Sequence, residues 1–145
     1  MTLVEFHTGV ADKLGFACRL LRKAFHRGVR VAVIGPDPDL AALDRALWAF
    51  EEREFIPHLR VAPATTAGLA MRTPIWLVSG PLPDGAPGVV VNLGAEPPDD
   101  LGAVNRLIEV VSADPDDEAR GRARWRGYRA RGLAVEHHPA GAARV

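Results

Sequence analysis

The sequence lacks most of the residue patterns that mark common chemistries. A single cysteine, Cys18, excludes an internal disulfide and any zinc site built on paired thiolates, and it suits a reducing cytoplasm. No apolar run approaches the roughly 20 residues that a membrane span needs. The opening Met1-Thr2-Leu3-Val4-Glu5-Phe6 has neither the charged start nor the long apolar stretch of a signal peptide, and is expected as a first strand. Eighteen Lys and Arg balance eighteen Asp and Glu, so the whole chain has no basic excess to draw it to nucleic acid.

The glycine after the second strand opens Gly35-Pro36-Asp37, which has neither GxGxxG spacing nor a GK[ST] ending. Pro36 removes an amide that would face a phosphate, and Asp37 and Asp39 would repel one. No serine or threonine stands at a strand-to-helix elbow, so no nucleophile is legible. His7, His26, His58, His137 and His138 are scattered, and the last two read as part of a polar tail rather than a metal site. Asp114, Asp116, Asp117 and Glu118 open a helix, where the dipole favours acids without any ion. The sequence therefore implies no cofactor, no metal and no enzyme.

What is present is an alternation of strand and helix signals along 145 residues, a length suited to one core. Strands are expected at 2–7, 29–34, 75–79, 89–93 and 106–112, and helices at about 11–27, 38–50 and 115–131. Leu14, Ala17, Cys18, Leu21, Ala24 and Phe25 share one face of the first helix, and Gly28 stands at its C-terminal stop. Asp37 is the expected N-cap of the second helix, which buries Leu40, Leu43, Leu47 and Phe50. Residues 59–74 read as an irregular connection, and Pro97 to Asp100 as the start of a short helical turn. The loop Gly80 to Gly88 is short for a parallel crossover, so its flanking strands are expected to pair antiparallel. The fold class is a single α/β domain over 1–145, with a mixed, mostly parallel sheet flanked by helices. It is layered like a Rossmann fold but has no nucleotide site, and residues 133–145 are a partly frayed tail.

Two stretches look made for partners. In the last helix Arg122, Trp125, Arg126 and Arg129 return to one face at spacings of three and four. Ala119, Ala123, Gly127 and Ala130 form the opposite stripe, expected to pack on the sheet. Arginines around an aromatic suit an anionic ligand with an apolar group, because a guanidinium matches a carboxylate or phosphate in fork geometry. A solvated basic helix with Trp125 folded onto the core fits the same spacing equally well. The second stretch is Trp48, off the buried stripe of its helix, followed by Phe55-Ile56-Pro57-His58. It reads as an exposed interface patch or as cover for the sheet edge.

Leu43-Asp44-Arg45-Ala46-Leu47-Trp48 with Phe55-Ile56-Pro57-His58 resembles the LDxxLW…F(V/I)PH signature of the DNA polymerase III chi family. Gly28-Val29-Arg30-Val31 resembles the family's G-x-RV, and Arg124-Trp125-Arg126-Gly127-Tyr128-Arg129 its R(Y/W)(K/R)xYR. The resemblance covers nearly the whole chain. It implies a cytoplasmic, non-catalytic adaptor that receives the acidic C-terminal tail of single-stranded-DNA-binding protein and links it to the clamp loader. By the same resemblance Arg122, Trp125, Arg126 and Arg129 form the tail site. Trp48, Phe55, Pro57 and His58 would form the surface for the psi subunit or a helicase. Contact with nucleic acid is then mainly indirect, and no membrane is involved. Glu118 departs from the pattern, standing where some members carry a lysine. A direct single-stranded nucleic-acid binder using the basic last helix is the alternative.

Overall fold

The computed structural model describes residues 2–49, 55–62, 65 and 67–140. Among the described residues seven strands run β1 (Leu3–Val10), β2 (Val31–Ile34), β3 (His58–Val61), β4 (Ile75–Val78), β5 (Val89–Asn92), β6 (Arg106–Ser112) and β7 (Ala134–Pro139). The helices α1 (Lys13–His26), α2 (Asp37–Ala49), α3 (Ala67–Arg72) and α4 (Pro115–Ala130) cover the sheet. The strand order is β3-β4-β2-β5-β6-β1-β7, and every pairing is parallel.

Parallel strands are buried on both faces, which is why β2, β4 and most of β6 are continuous apolar runs. Successive residues serve opposite layers. Val31 and Val33 join Leu21 of α1 and Leu40, Leu43 and Leu47 of α2 in one core. Ala32 and Ile34 join Phe6, Trp76, Val111 and Tyr128 in the other, under α3 and α4.

The α/β class holds, and the sheet is parallel throughout. β4 and β5 do not pair; β2 lies between them. The Gly80–Gly88 segment crosses over β2 without a helix, and its Leu82 and Ala86 pack on the second core. That apolar footing substitutes for the usual crossover helix. The connection expected to be irregular contains β3 and the short α3, neither of which has a strong period. The expected helical turn at Pro97 is loop. The expected tail supplies β7, paired with β1 from Leu3↔Ala134 to Thr8↔Pro139. Asp37 is the first residue of α2, and the carbonyl of Pro36 accepts the first helical bond. Phe50, Glu51, Glu52 and Glu54 lie outside the described residues.

The largest correction concerns α4. Its Ala119, Ala123, Gly127 and Ala130 are exposed, and the buried stripe is Asp117, Gly121, Arg124 and Tyr128. Gly121 sets the approach: a Cβ there would come within 2.9 Å of the Val111 Cγ2 on β6. Without a side chain at that point the helix lies close on the strand, and its neighbours fan out to either side.

Candidate functional site

Beside that close contact a cleft of about 530 Å³ opens between α4 and the carboxyl ends of β1 and β6. Its apolar wall is Phe6, Val111 and the indole of Trp125; its polar rim carries Arg122, Arg126, Glu118, Thr8 and His137. Trp125 is half-buried, with its ring centroid 5.1 Å from Phe6 and 5.8 Å, edge-on, from His137. The His137 ring is hydrogen-bonded to the Thr8 hydroxyl at 2.6 Å, so β7 holds the far side of the indole. Trp125 is therefore wall and core at once.

Three of the four sequence-derived residues meet here. Arg129 is exposed one turn further on and does not line the cleft. The Arg122 guanidinium sits 3.3 Å from the Glu118 carboxylate. Both side chains are largely exposed, at 66% and 40%, so solvent screens this pair and Arg122 stays available.

The support beneath the cleft escaped sequence reasoning. Glu109 of β6 is fully buried and collects three donors: Arg124 Nε at 2.9 Å, Asn92 Nδ2 at 3.0 Å, and the Tyr128 hydroxyl. Burial pushes the Glu109 carboxyl up, while Arg124 and the hydrogen bonds from Tyr128 and Asn92 pull it down. Burial and the neighbouring Glu109 charge push the Tyr128 hydroxyl far up, which keeps it a donor. Asp117 anchors the start of α4. Its carboxylate accepts the Ser112 amide at 2.8 Å and the Lys13 ammonium at 3.1 Å. Burial raises the Asp117 carboxyl, but these bonds outweigh it, so it titrates below the usual range. Arg124, the first residue of the Arg124–Arg129 motif, and Asp117 within the acidic cluster are thus structural. The one available signal was their spacing with Gly121 and Tyr128.

The second surface is assembled from the two halves of the LDxxLW…FIPH pattern. Asp44 Oδ1 accepts from His58 Nε2 at 2.8 Å, and the His58 side chain is only 1% exposed. Above that part-buried bond Trp48 and Phe55 are 64% and 54% exposed, with ring centroids 5.0 Å apart. His58 meets Trp48 edge-on at 5.4 Å, so it supports the patch from below. Pro57 is half-buried beside it.

Two other places bear on chemistry. The crevice at the carboxyl ends of β2 and β4, where sheets of this type hold nucleotides, is lined by Glu96, Asp99 and Asp100 with Pro81, Pro97 and Pro98. It offers carboxylates where a phosphate needs cations, and prolines where it needs amides. Among the described residues one group, Glu5, Glu136 and His138, gathers metal-type ligands. Glu5 is already held by the Arg106 guanidinium at 2.8 Å, and a cation at that distance opposes a metal ion. No helix is long and apolar enough to cross a membrane among the described residues.

Comparison with known proteins agrees with the motif pattern. The family model described as DNA polymerase III chi subunit, HolC, matches residues 1–136. A DNA polymerase III subunit chi of Pseudomonas aeruginosa is 29% identical over 143 residues, covering 95% of this chain and 96% of that protein. The chain belongs to the DNA polymerase III chi subunit family.

Proposed function

We propose that this chain is a non-catalytic cytoplasmic adaptor of the replicative polymerase, which binds the acidic C-terminal tail of single-stranded-DNA-binding protein and links it to the clamp loader. The observation that carries the reading is the cleft beside α4, where two guanidiniums, Arg122 and Arg126, stand at the rim of an apolar wall made by Phe6 and Trp125. A tail that ends in phenylalanine with a free carboxylate offers the complementary pair, a ring for the wall and an anion for the rim. Each charge-assisted bond to the carboxylate contributes about 1.5–3 kcal/mol. Arg129 adds long-range charge from outside the cleft.

Trp48 and Phe55, held up by the Asp44–His58 bond with Pro57 alongside, serve a different protein, psi or a helicase that competes with it. Paired exposed aromatics of this kind are typical of interface hot spots. Direct tracking of single-stranded DNA by α4 fits less well. Arg124 is buried on Glu109, Arg120 faces Asp117, and Arg131 donates to the carbonyls of Pro98 and Asp99. The basic run is broken up rather than laid out as a phosphate track.

Titration calorimetry with two acidic peptides, one ending in free phenylalanine carboxylate and one in its amide, tests the reading. The free acid binds and the amide binds at least about tenfold more weakly, the cost of roughly one charge-assisted bond. Equal binding of the two would remove the terminal carboxylate from the model; binding of neither would remove the tail.

A further inference from the structure

On the other face of the sheet a second cleft, of about 630 Å³, runs between α1 and β6–β1. The alternation of β1 separates the two: Phe6 and Thr8 line the cleft beside α4, whereas Glu5 and His7 line this one. From Lys13 to Pro36 the chain holds six Lys and Arg and no Asp or Glu, although the whole chain is neutral. Three of those cations, Arg19, Lys23 and Arg27, follow one another at every fourth residue of α1 and its cap, so they form one rim. All three are exposed, and none makes an ion pair among the described residues. Arg106 stands on the sheet side.

The floor between these rims is aliphatic: Leu20, Val31, Val89 and Ile108, with Phe16 at one end. Among the described residues Glu5 is the one carboxylate in the lining, and Arg106 holds it. A row of unpaired cations over an aliphatic floor is complementary to a chain that alternates acids with large apolar side chains. It complements a bare polyanion less well, because bases need flat aromatic platforms. The rings here, His7 and Phe16, are tilted 50° to one another.

We propose that the α1 cleft is a second docking site, for an internal acidic protein segment carrying leucine or phenylalanine side chains, independent of the α4 cleft and needing no free C-terminus. The site stands whether or not the α4 cleft receives a tail.

The test uses the full chain and a fluorescein-labelled peptide that alternates Asp and Glu with Leu and Phe, amidated at its end, read by fluorescence anisotropy. The peptide binds, and Lys23→Glu/Arg27→Glu weakens it at least about tenfold, since reversing two exposed charges turns attraction into repulsion. Arg122→Ala leaves its affinity unchanged. A control peptide with Ser in place of Leu and Phe binds at least about tenfold more weakly, which separates the floor from the rim. Lys23 and Arg27 are exposed, so the double variant stays folded; two acids at the C-terminal end of α1 oppose the helix dipole and lower the melting temperature only slightly, which is measured alongside. The proposal is overturned if the peptide fails to bind, if Arg122→Ala removes binding, or if the Ser control binds equally. It is also overturned if an oligothymidylate of matched charge displaces the peptide at lower concentration, which would make the cleft a nucleic-acid site.

Discussion

Gly121 of α4 lies so close to Val111 of β6 that a methyl group on the glycine would sit 2.9 Å from a valine methyl. The contact closes the inner end of the α4 cleft and fixes how far Trp125 and Arg122 stand from the sheet. A β-branched neighbour in a packed layer has little room to withdraw. Gly121→Ala therefore costs stability through overpacking, about 1–3 kcal/mol, against which the better helix propensity of alanine returns at most about 1 kcal/mol. Urea melts read the net loss, and tail-peptide affinity falls with it as the helix is pushed outward. A stabilised Gly121→Ala variant would show that the helix seats without this contact.

Glu118 competes with any anionic ligand for Arg122, yet the pair is exposed and loosely held at 3.3 Å. Glu118→Lys removes the competitor and adds a cation at the rim. It should tighten tail-peptide binding by about three- to tenfold at low salt, with the gain shrinking as salt rises. Arg122→Ala and Trp125→Ala each weaken the same binding by about 1–3 kcal/mol. Arg129→Ala, outside the cleft, changes it far less. Calorimetry on the four variants ranks them; an Arg129 effect as large as that of Arg122 would move the site outward along the helix.

The α/β class was legible because buried parallel strands such as Val31–Ile34 and Arg106–Ser112 leave long apolar runs that nothing else explains. β7 and β3 were not, because each is an edge strand with one neighbour and mixed polarity, Ala134-Val135-Glu136-His137-His138-Pro139 in the first case. Edge strands are specified by what they pair with, and β7 pairs with a segment 131 positions earlier in the chain. The exposure of Trp48 and Phe55 was an open alternative in the helical period, and the structure decides it. The packing face of α4 was misread for a definite reason. A wheel built on hydrophobicity favours the alanines, whereas Arg124 and Asp117 are buried by partners on β6 and α1 that spacing does not show.

Glu109 and Arg124 form a buried pair whose value lies in its completeness. Removing the cation alone leaves a carboxylate without charge compensation inside the core. Arg124→Met should cost about 3–5 kcal/mol, whereas adding Glu109→Gln to it should restore most of that loss. The buried Nη2 of Arg124 has no hydrogen-bond partner, which lowers the net worth of the native pair. Denaturant melts of the two single variants and the double give the coupling directly. Additive costs would mean that the two groups do not depend on each other.

Trp48 and Phe55 stand clear of both cores, so their truncation tests a surface and not the fold. Trp48→Ala should change stability by less than about 1 kcal/mol and leave tail-peptide affinity intact. It should abolish capture of whichever polymerase-complex or helicase partner uses the patch, measured by pull-down with purified components. Asp44→Ala acts from below: it leaves the buried His58 ring held on one side only, by the Ile56 carbonyl at 2.7 Å, costs about 0.5–1.5 kcal/mol as a lost part-buried bond, and weakens the same capture. If Trp48→Ala melts the protein, the indole is cover for the sheet edge after all.

Asp117 couples the start of α4 to the start of α1, through Lys13 at 3.1 Å and the Ser112 amide at 2.8 Å. Its carboxyl titrates below the usual aspartate value of about 3.9. A carboxyl with a lowered folded value binds protons less readily in the fold than in the unfolded chain. Its stabilisation is therefore fully present above the unfolded value and is lost as pH falls through the folded one. Asp117→Asn removes the charge at every pH. The stability gap between wild type and the variant should stay constant from about pH 7 down to about pH 5, then close below about pH 4, as the unfolded aspartate and afterwards the folded one take up protons. Urea melts of both proteins across that range measure the gap. A gap that persists unchanged at the acid end would mean that the asparagine amide disrupts the Ser112 bond itself, and that the carboxylate charge is not what holds the two helix starts together.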